Sequence, residues 1–130
     1  MNICEDIWYS LGPTEVQREA GAELIVNINA SPYHAGKQGS REQMLASRAV
    51  ANKLLVSYTN MVGGQDELVF DGASSVFNQH GKLGARGGQF EEELVVIDLN
   101  VGPGSTMGTG GASPKGRNMG SLRSLSLIHI

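Results

Sequence analysis

The sequence predicts an α/β domain, and three observations lead to this prediction. Strand-like apolar runs alternate with segments rich in helix formers from the N-terminus to about Asn100, a pattern typical of layered α/β domains. A chain of 130 residues with 40% hydrophobic content can bury one modest core. After Asn100 the composition turns rich in glycine and the periodic pattern is lost. We therefore predict one domain, or part of one, over residues 1–100.

The first elements follow from local signals in chain order. Pro13 at a first helical position and Gly21 at the far end predict a short helix. The β-branched residues of "ELIVNINA" (23–30), bounded by turn residues, predict a buried strand. Ser40, with Gln43 as its capping-box partner, predicts the start of the longest helix.

The sequence of the second half of the domain predicts strands. "LLVSYTNMV" (54–62) predicts a strand that ends at Gly63-Gly64. The stretch 67–87 predicts two short strands around Gly72, with a turn at His80-Gly81. "FEEELVVIDL" (90–99) predicts the last strand.

Bulk properties exclude several classes of partner. The formal net charge is -3 and the pI is about 5.5, so there is no basic surface that predicts binding to nucleic acid or to an anionic membrane. Apolar runs stay well short of the roughly 18 residues that a membrane span needs, and the N-terminus lacks a signal-peptide pattern. We expect a cytoplasmic protein.

Residues 101–130 predict a disordered tail. Glycine and small polar residues dominate it, and such a segment cannot bury enough apolar surface to order itself. Gly102, Gly104 and Gly108 miss the dinucleotide-binding spacing by one residue, so we expect no cofactor here. The closing "LSLIHI" (125–130) matches the translation of a sequencing adapter, and we interpret the tail as non-native; a real β-segment or partner-binding tail is the alternative.

The only cysteine is the strongest candidate for chemistry. Cys4 has no disulfide partner in this chain and cannot build a thiolate zinc site alone, so packing or nucleophilic chemistry remains. Its neighbours Glu5 and Asp6 disfavour a thiolate. The three histidines share no helix face at ligand spacing, and we expect no metal site.

Three motifs in order carry a family resemblance. "ICEDIW", "NINASPYH" and "NMVGGQDELVFDG" together resemble the glutaminase domain of the glutamine-dependent NAD synthetases, within the carbon-nitrogen hydrolase (nitrilase) superfamily. The resemblance covers residues 2 to about 100. It implies the C-terminal portion of a nitrilase-type α-β-β-α sandwich.

The resemblance also implies roles for single residues. Cys4 would be the nucleophile at a sharp strand-to-helix turn, and the N–H of Glu5 would help to hold the oxyanion. Glu5 would also line the glutamine pocket. Ser31 would hold the amino-acid end of glutamine, and Lys37 would lie near its carboxylate. In "GGQDELVFDG", Asp66 and the glycines would shape a turn and the sheet edge.

Further expectations concern the parent protein. The family's glutamate base and lysine lie before the cysteine, and its ATP- and Mg-dependent synthetase domain, which receives the ammonia, follows the glutaminase domain. We therefore interpret the chain as a fragment, inactive alone, of a homo-oligomeric enzyme that amidates nicotinic acid adenine dinucleotide to NAD. The alternatives are a piece of a stand-alone amidase or nitrilase and a non-catalytic interaction module.

Overall fold

The computed structural model describes residues 1–102 and, beyond them, only the backbone of residues 106–107 and 123–127. In chain order the elements are β1 (Asn2–Ile3), a 3-10 helix (Cys4–Ile7), α1 (Pro13–Glu19), β2 (Leu24–Asn29), α2 (Lys37–Asn52), β3 (Leu55–Asn60), β4 (Val62–Gln65), β5 (Leu68–Asp71), β6 (Ser75–Phe77), β7 (Leu83–Arg86), β8 (Ile97–Val101), β9 (Thr106–Met107) and β10 (Arg123–Leu127).

The main sheet places the ends of three parallel strands side by side. Its order is β1-β2-β3-β6-β7, with β1, β2 and β3 parallel and the last two strands antiparallel. Helix α2 is the crossover between β2 and β3, as a parallel connection requires. Because parallel strands end at the same edge of a sheet, the segments after Ile3, Asn29 and Asn60 meet there.

Apolar side chains cover both faces of this sheet. On one face the buried residues belong to the sheet, the 3-10 helix and α2, and Ile25, Leu45 and Val56 are among them. On the other face Leu55 and Val76 pack against Ile97 and Leu99 of β8. The domain is therefore layered, with helices on one side of the sheet and a second sheet on the other. The predicted α/β fold class is confirmed.

The second sheet is formed by β8 with the two strands described from the tail. β8 pairs antiparallel with β10, from Arg123–Val101 to Leu127–Ile97, and with β9 on its other side. The predicted disordered tail thus includes two short paired strands. Residues 103–105, 108–122 and 128–130 lie outside the described residues, and for them disorder and a non-native origin stay predictions.

The longest helix begins earlier than predicted. It starts at Lys37, and Gly36 at its N-cap has φ 81°. Ser40 is not the cap: its hydroxyl lies inside the first turn and donates to the carbonyl of Lys37 over 2.9 Å. Gly36 adopts a left-handed conformation at little steric cost, so the chain enters the helix without a side-chain cap.

Two other predicted boundaries are wrong. Gly63 and Gly64 do not end a strand, because both lie within β4, which forms a hairpin with β5. The last strand begins at Ile97 instead of Phe90, because buried side chains begin only there: Ile97 and Leu99 are buried, whereas most residues from 90 to 96 are exposed. The predicted α1, β2 and the turn before Gly81 are confirmed.

A buried ion pair ties α2 to the end of β5. Arg41 donates both terminal nitrogens to the Asp71 carboxylate, at 3.1 and 2.9 Å, and each side chain is only 1% exposed. Asp71 also accepts from Gln89 Nε2 at 2.9 Å and from Asn60 Nδ2 at 3.3 Å. The guanidinium also lies 5.7 Å from the centroid of the Tyr58 ring. The charge of each partner is thus satisfied on several sides.

This environment changes the titration of Asp71. Burial alone would raise the pKa of its carboxyl group, but hydrogen bonds from Arg41 and Gln89 and the positive charge of Arg41 lower the pKa below its ordinary value of 3.8. Asp71 is therefore ionised throughout the neutral range.

Replacing one partner of this pair should destabilise the protein strongly. We expect Arg41→Met to lower the free energy of unfolding by about 3–5 kcal/mol, because it leaves a buried carboxylate without its cation. Arg86→Met is the matched control, since Arg86 pairs with Glu42 at 2.9 Å but is 46% exposed. The Arg86→Met substitution should lower the free energy of unfolding by less than about 1 kcal/mol. Urea unfolding followed by circular dichroism measures both; equal losses would contradict this view of the pair.

The same pair predicts a pH dependence. Since the folded pKa of Asp71 is lowered, its contribution to stability is fully present above the ordinary carboxyl pKa of 3.8 and is lost as the pH falls below it. The difference in unfolding free energy between the unsubstituted chain and Asp71→Asn should thus shrink between about pH 5 and pH 3. A difference that is constant over this range would show that Asp71 keeps its ordinary pKa.

Candidate active site

Cys4 lies at a strained turn between β1 and the 3-10 helix. Its φ is 50°, in the left-handed region, and its side chain is partly buried. A residue with a Cβ atom rarely adopts this conformation, and such strain is typical of functional sites. The turn lies at the edge of the sheet where the parallel strands end.

The two carboxylates beside Cys4 have different surroundings. Asp6 accepts a hydrogen bond from the N–H of Ile3 at 2.9 Å, which closes the first turn of the 3-10 helix across Cys4. Glu5 is exposed and borders the cavity described below. Asp6 therefore shapes the turn, while Glu5 is free to meet a ligand.

Arg48 of α2 holds the other end of the 3-10 helix. Its Nε donates to the carbonyl of Ile7 over 3.0 Å, and its Nη2 donates to the carbonyl of Trp8 over 2.7 Å. A cation at these carbonyls complements the negative end of the helix. The turn at Cys4 is thus fixed from both sides.

The segment after β2 brings the next two predicted site residues to the same edge. Ser31 is buried, and its N–H donates to Asn60 Oδ1 over 2.8 Å. Lys37, the first residue of α2, donates from Nζ to the carbonyl of Pro32 over 2.7 Å. Both residues are therefore positioned by backbone contacts of the loop between β2 and α2.

A cavity of about 570 Å³ opens at this edge of the sheet. Three segments line it: the 3-10 helix with the residues after it, the end of β2, and the start of α2. All four residues predicted for the site contact this one cavity. The lining residues are Cys4, Glu5, Trp8, Tyr9, Asn29, Ala30, Ser31, Pro32, His34, Lys37 and Ser40.

Several lining residues were not predicted for the site, and Asn29 is the one whose position in the sequence carried a signal. Trp8 and Tyr9 directly follow the "CEDI" turn, and His34 lies in the loop after β2. Asn27 and Asn29 interrupt the apolar strand "LIVNINA" at a spacing of two, which puts both side chains on one face of β2. Two amides on one face of a buried strand indicate a structured polar site.

Tyr58 provides a buried phenol on the strand next to β2. It is only 1% exposed and stands opposite Asn27 in the register of β2 and β3. Burial raises the pKa of the Tyr58 hydroxyl, and the nearby Ser31 hydroxyl and the charge of Arg41 offset this in part. The phenol is therefore neutral at physiological pH.

Neither a metal-binding cluster nor a membrane-spanning helix is found among the described residues. Within the part of the chain that the structure describes, no group of three or more His, Cys, Asp or Glu side chains is placed to hold a metal ion. Among the helices described, none is both long and apolar enough to cross a membrane.

An α/β fold with a strained cysteine after a parallel strand, in the lining of a cavity that Glu5, Ser31 and Lys37 share, defines a candidate cysteine hydrolase. The sequence profile of the carbon-nitrogen hydrolase family matches residues 1–104. The chain belongs to the carbon-nitrogen hydrolase family.

Two similar relatives are glutamine-dependent NAD(+) synthetases. The glutamine-dependent NAD(+) synthetase of Aquifex aeolicus is 54% identical over 101 residues, which is 78% of this chain and 18% of the relative. The synthetase of Thermotoga maritima is 44% identical over 102 residues, which is again 78% of this chain and 18% of the relative. The chain thus spans about a fifth of the length of these relatives.

Solved structures agree with the sequence matches. The glutamine-dependent NAD+ synthetase of Acinetobacter baumannii, solved with ADP, superposes on this chain with a TM-score of 0.76 at 33% identity. The match covers 88% of this chain and 22% of the synthetase chain. A nitrilase-superfamily amidase from Nesterenkonia superposes on this chain with a TM-score of 0.55 at 27% identity. That match covers 66% of this chain and 32% of the amidase chain. The fold is therefore that of the nitrilase-type domain of these proteins.

The strain at Cys4 predicts an unusual order of stability for two variants. Cys4→Gly should be more stable than Cys4→Ala by about 1 kcal/mol, because glycine adopts a φ near 50° without the steric cost of a Cβ atom. Both variants lack the sulfur atom, so the comparison isolates the backbone. Thermal and urea unfolding measure the difference; a more stable alanine variant would contradict the observed turn conformation.

Proposed function

We propose that Cys4 is the nucleophile of an amide hydrolase and that the chain is part of the glutaminase region of a glutamine-dependent NAD synthetase. One observation carries the proposal: the strained Cys4 turn shares its cavity with Ser31 and Lys37, the residues that the family resemblance assigns to glutamine. The 54% identity to the Aquifex aeolicus synthetase supports the choice of this enzyme within the family.

The proposed reaction is cysteine-dependent hydrolysis of a carboxamide. The thiolate of Cys4 attacks the carbonyl carbon, and the resulting oxyanion takes a hydrogen bond from the N–H of Glu5. That N–H lies in the first turn of the 3-10 helix, where backbone donors have no partner within the helix. When the intermediate collapses, the leaving nitrogen takes the proton that the parent's general base removed from the thiol, so that ammonia is released and a thioester remains. Water then hydrolyses the thioester to glutamate and the free Cys4 thiol.

Three side chains account for recognition of the amino-acid end of glutamine. Lys37 uses one of its three N–H donors on the carbonyl of Pro32, and two remain for the α-carboxylate. Exposed Glu5 complements the α-ammonium group, and Ser31 contributes to the lining of the same cavity. This charge pattern favours a zwitterionic amino acid over a simple aliphatic amide.

We assign the remaining parts of the reaction to a longer parent protein. In the proposed parent, a glutamate base and a lysine activate the cysteine. A synthetase domain that uses ATP and Mg receives the ammonia and amidates nicotinic acid adenine dinucleotide. We propose a homo-oligomeric, cytoplasmic parent, and we expect the chain alone to lack useful glutaminase activity, because losing several members of a catalytic unit costs about as much as losing the nucleophile.

A stand-alone amidase is the second candidate. A glutamate-to-glutamine mutant of the Nesterenkonia amidase carries the acetamide moiety of fluoroacetamide on its active-site cysteine. That enzyme is similar to this chain at 26% identity with a TM-score of 0.56. The higher identity to the synthetases makes the amidase the weaker candidate.

A chimaera tests the proposed function directly. Residues 1–101 of this chain would replace the matching segment of the Aquifex aeolicus synthetase, which supplies the missing partners. We expect ammonia release from glutamine, measured by a coupled glutamate dehydrogenase assay, and its loss in the Cys4→Ala version. The unaltered synthetase is the positive control. A folded chimaera that hydrolyses a simple aliphatic amide but not glutamine would favour the amidase.

A further inference from the structure

The side-chain amide of Asn60 pairs with the backbone of Ser31. Asn60 is the last residue of β3, Ser31 is the second residue after β2, and both are buried. The N–H of Ser31 donates to Asn60 Oδ1 over 2.8 Å, and Asn60 Nδ2 lies 3.5 Å from the carbonyl oxygen of Ser31. A side-chain amide offers the same donor and acceptor as a peptide group. Asn60 therefore continues the pairing of β2 with β3 beyond the ends of the two strands.

The surroundings of Asn60 allow one orientation of this amide. Its Nδ2 donates to the carbonyl of Gly72 over 3.1 Å and to Asp71 Oδ1 over 3.3 Å. A carbonyl and an ionised carboxylate only accept hydrogen bonds, so Nδ2 must face them and Oδ1 must face the N–H of Ser31. The backbone of Asn60 is held as well, because its N–H donates to Ser74 Oγ over 2.8 Å. Asn60 is therefore a fixed anchor for Ser31.

Ser31 connects this anchor to the cavity. Ser31 contributes to the cavity lining, whereas Asn60 does not. The next residue, Pro32, accepts the hydrogen bond from Lys37 Nζ with its carbonyl at 2.7 Å. The position of the Ser31 backbone thus affects both residues that are assigned to the amino-acid end of glutamine.

The Cys4 turn has supports of its own. Asp6 accepts the N–H of Ile3, and Arg48 holds the carbonyls at the far end of the 3-10 helix. Loss of the Asn60 amide should therefore release the loop after β2 and leave the nucleophile in place.

We propose that Asn60 is a positioning residue for the substrate: it holds the loop that binds the amino-acid end of glutamine, and it thereby sets the affinity for glutamine and not the rate of attack by Cys4. The proposal rests on the proposed roles of Ser31 and Lys37 and deepens them. A buried N–H that has lost its acceptor is costly, so the loop leaves its binding geometry when the amide is removed. Loss of an interaction that favours the bound ground state and the transition state equally raises KM and leaves kcat unchanged.

The glutaminase assay of the chimaera tests the proposal. Asn60→Leu replaces the amide with an apolar group of similar shape. We expect the KM for glutamine to rise about ten-fold, which corresponds to about 1.4 kcal/mol of binding free energy, while kcat stays within about two-fold. Gln89→Met is the matched control, because Gln89 also donates its side-chain amide to Asp71, at 2.9 Å, and none of the described hydrogen bonds joins it to Ser31. The KM of this control should stay at that of the unsubstituted chimaera.

Hydrogen exchange at the Ser31 amide tests the anchor in the chain as it stands. The N–H of Ser31 should exchange about ten times faster in Asn60→Leu, because its acceptor is gone. In Gln89→Met it should exchange at the rate of the unsubstituted chain. NMR spectroscopy measures this rate residue by residue, and the measurement needs no glutaminase activity.

Ser74 provides a second pair of variants. Its hydroxyl accepts the N–H of Asn60 and donates to the carbonyl of Asn60 over 3.3 Å. Ser74→Ala removes both bonds and loosens the anchor, so the KM should rise by a smaller factor, about three-fold. Ser74→Thr keeps the hydroxyl and should keep the KM. This pair decides the question if Asn60→Leu fails to fold, which circular dichroism would show; an unchanged KM in folded Ser74→Ala would then overturn the proposal.

The outcomes separate this proposal from the proposed function. Equal rises of KM in Asn60→Leu and Gln89→Met would show that Asn60 acts only by stabilising Asp71. An unchanged KM in folded Asn60→Leu, or a fall of kcat alone, would likewise overturn the positioning role and leave Cys4 as the nucleophile. A folded, unsubstituted chimaera that releases no ammonia from glutamine would overturn the proposed function and the link to glutamine, whereas the exchange rate of Ser31 would still support or overturn the anchor itself.

Discussion

The buried pair of Arg41 and Asp71 is the interaction on which the arrangement of this domain depends. It joins the second turn of α2 to the end of β5, and Asn60 at the end of β3 donates to the same carboxylate. Hydrophobic packing alone would allow α2 to slide along the sheet, since apolar contacts have little direction. A bidentate charge pair favours one geometry, because any shift that breaks it leaves an unpaired charge in the core. The ion pair therefore fixes the position of the helix.

The fixed helix in turn fixes the candidate site. Asn60, held by Asp71 and by the carbonyl of Gly72, accepts the N–H of Ser31 and so sets the loop after β2. Arg48, two turns along α2 from Arg41, holds the carbonyls that end the 3-10 helix. The same helix thus reaches both walls of the cavity through directed hydrogen bonds. The geometry of the Cys4 turn and its cavity therefore depends on residues that do not line the cavity themselves.

The sequence was most informative where a single local signal decides the structure. Pro13 and Gly21 bound α1, and the β-branched run of β2 forms a strand as predicted. The motifs around Cys4 and Ser31 identified residues that share one cavity. The start of α2 was missed because Gly36 replaces a capping side chain, and the hairpin of β4 was missed because Gly63-Gly64 also matches a turn.

The polar support of the site could not be predicted from such local signals. Arg41 and Asp71 are 30 residues apart, and Asn2 and Asn27 are 25 apart, so only the folded sheet brings them together. A surface arginine on a helix and a turn aspartate have the same sequence pattern as this buried pair. Long-range hydrogen bonds between ordinary polar residues produce no periodic pattern in a single sequence.

The shortness of β1 has a consequence for the local stability of the sheet. β2 and β3 are joined by six residue pairs, whereas β1 is joined to β2 by only two. Holding the chain before α1 against the sheet costs conformational entropy, and two residue pairs offset little of it. Amide hydrogens around Ile3 should therefore exchange by local opening before those in the middle of β2 and β3.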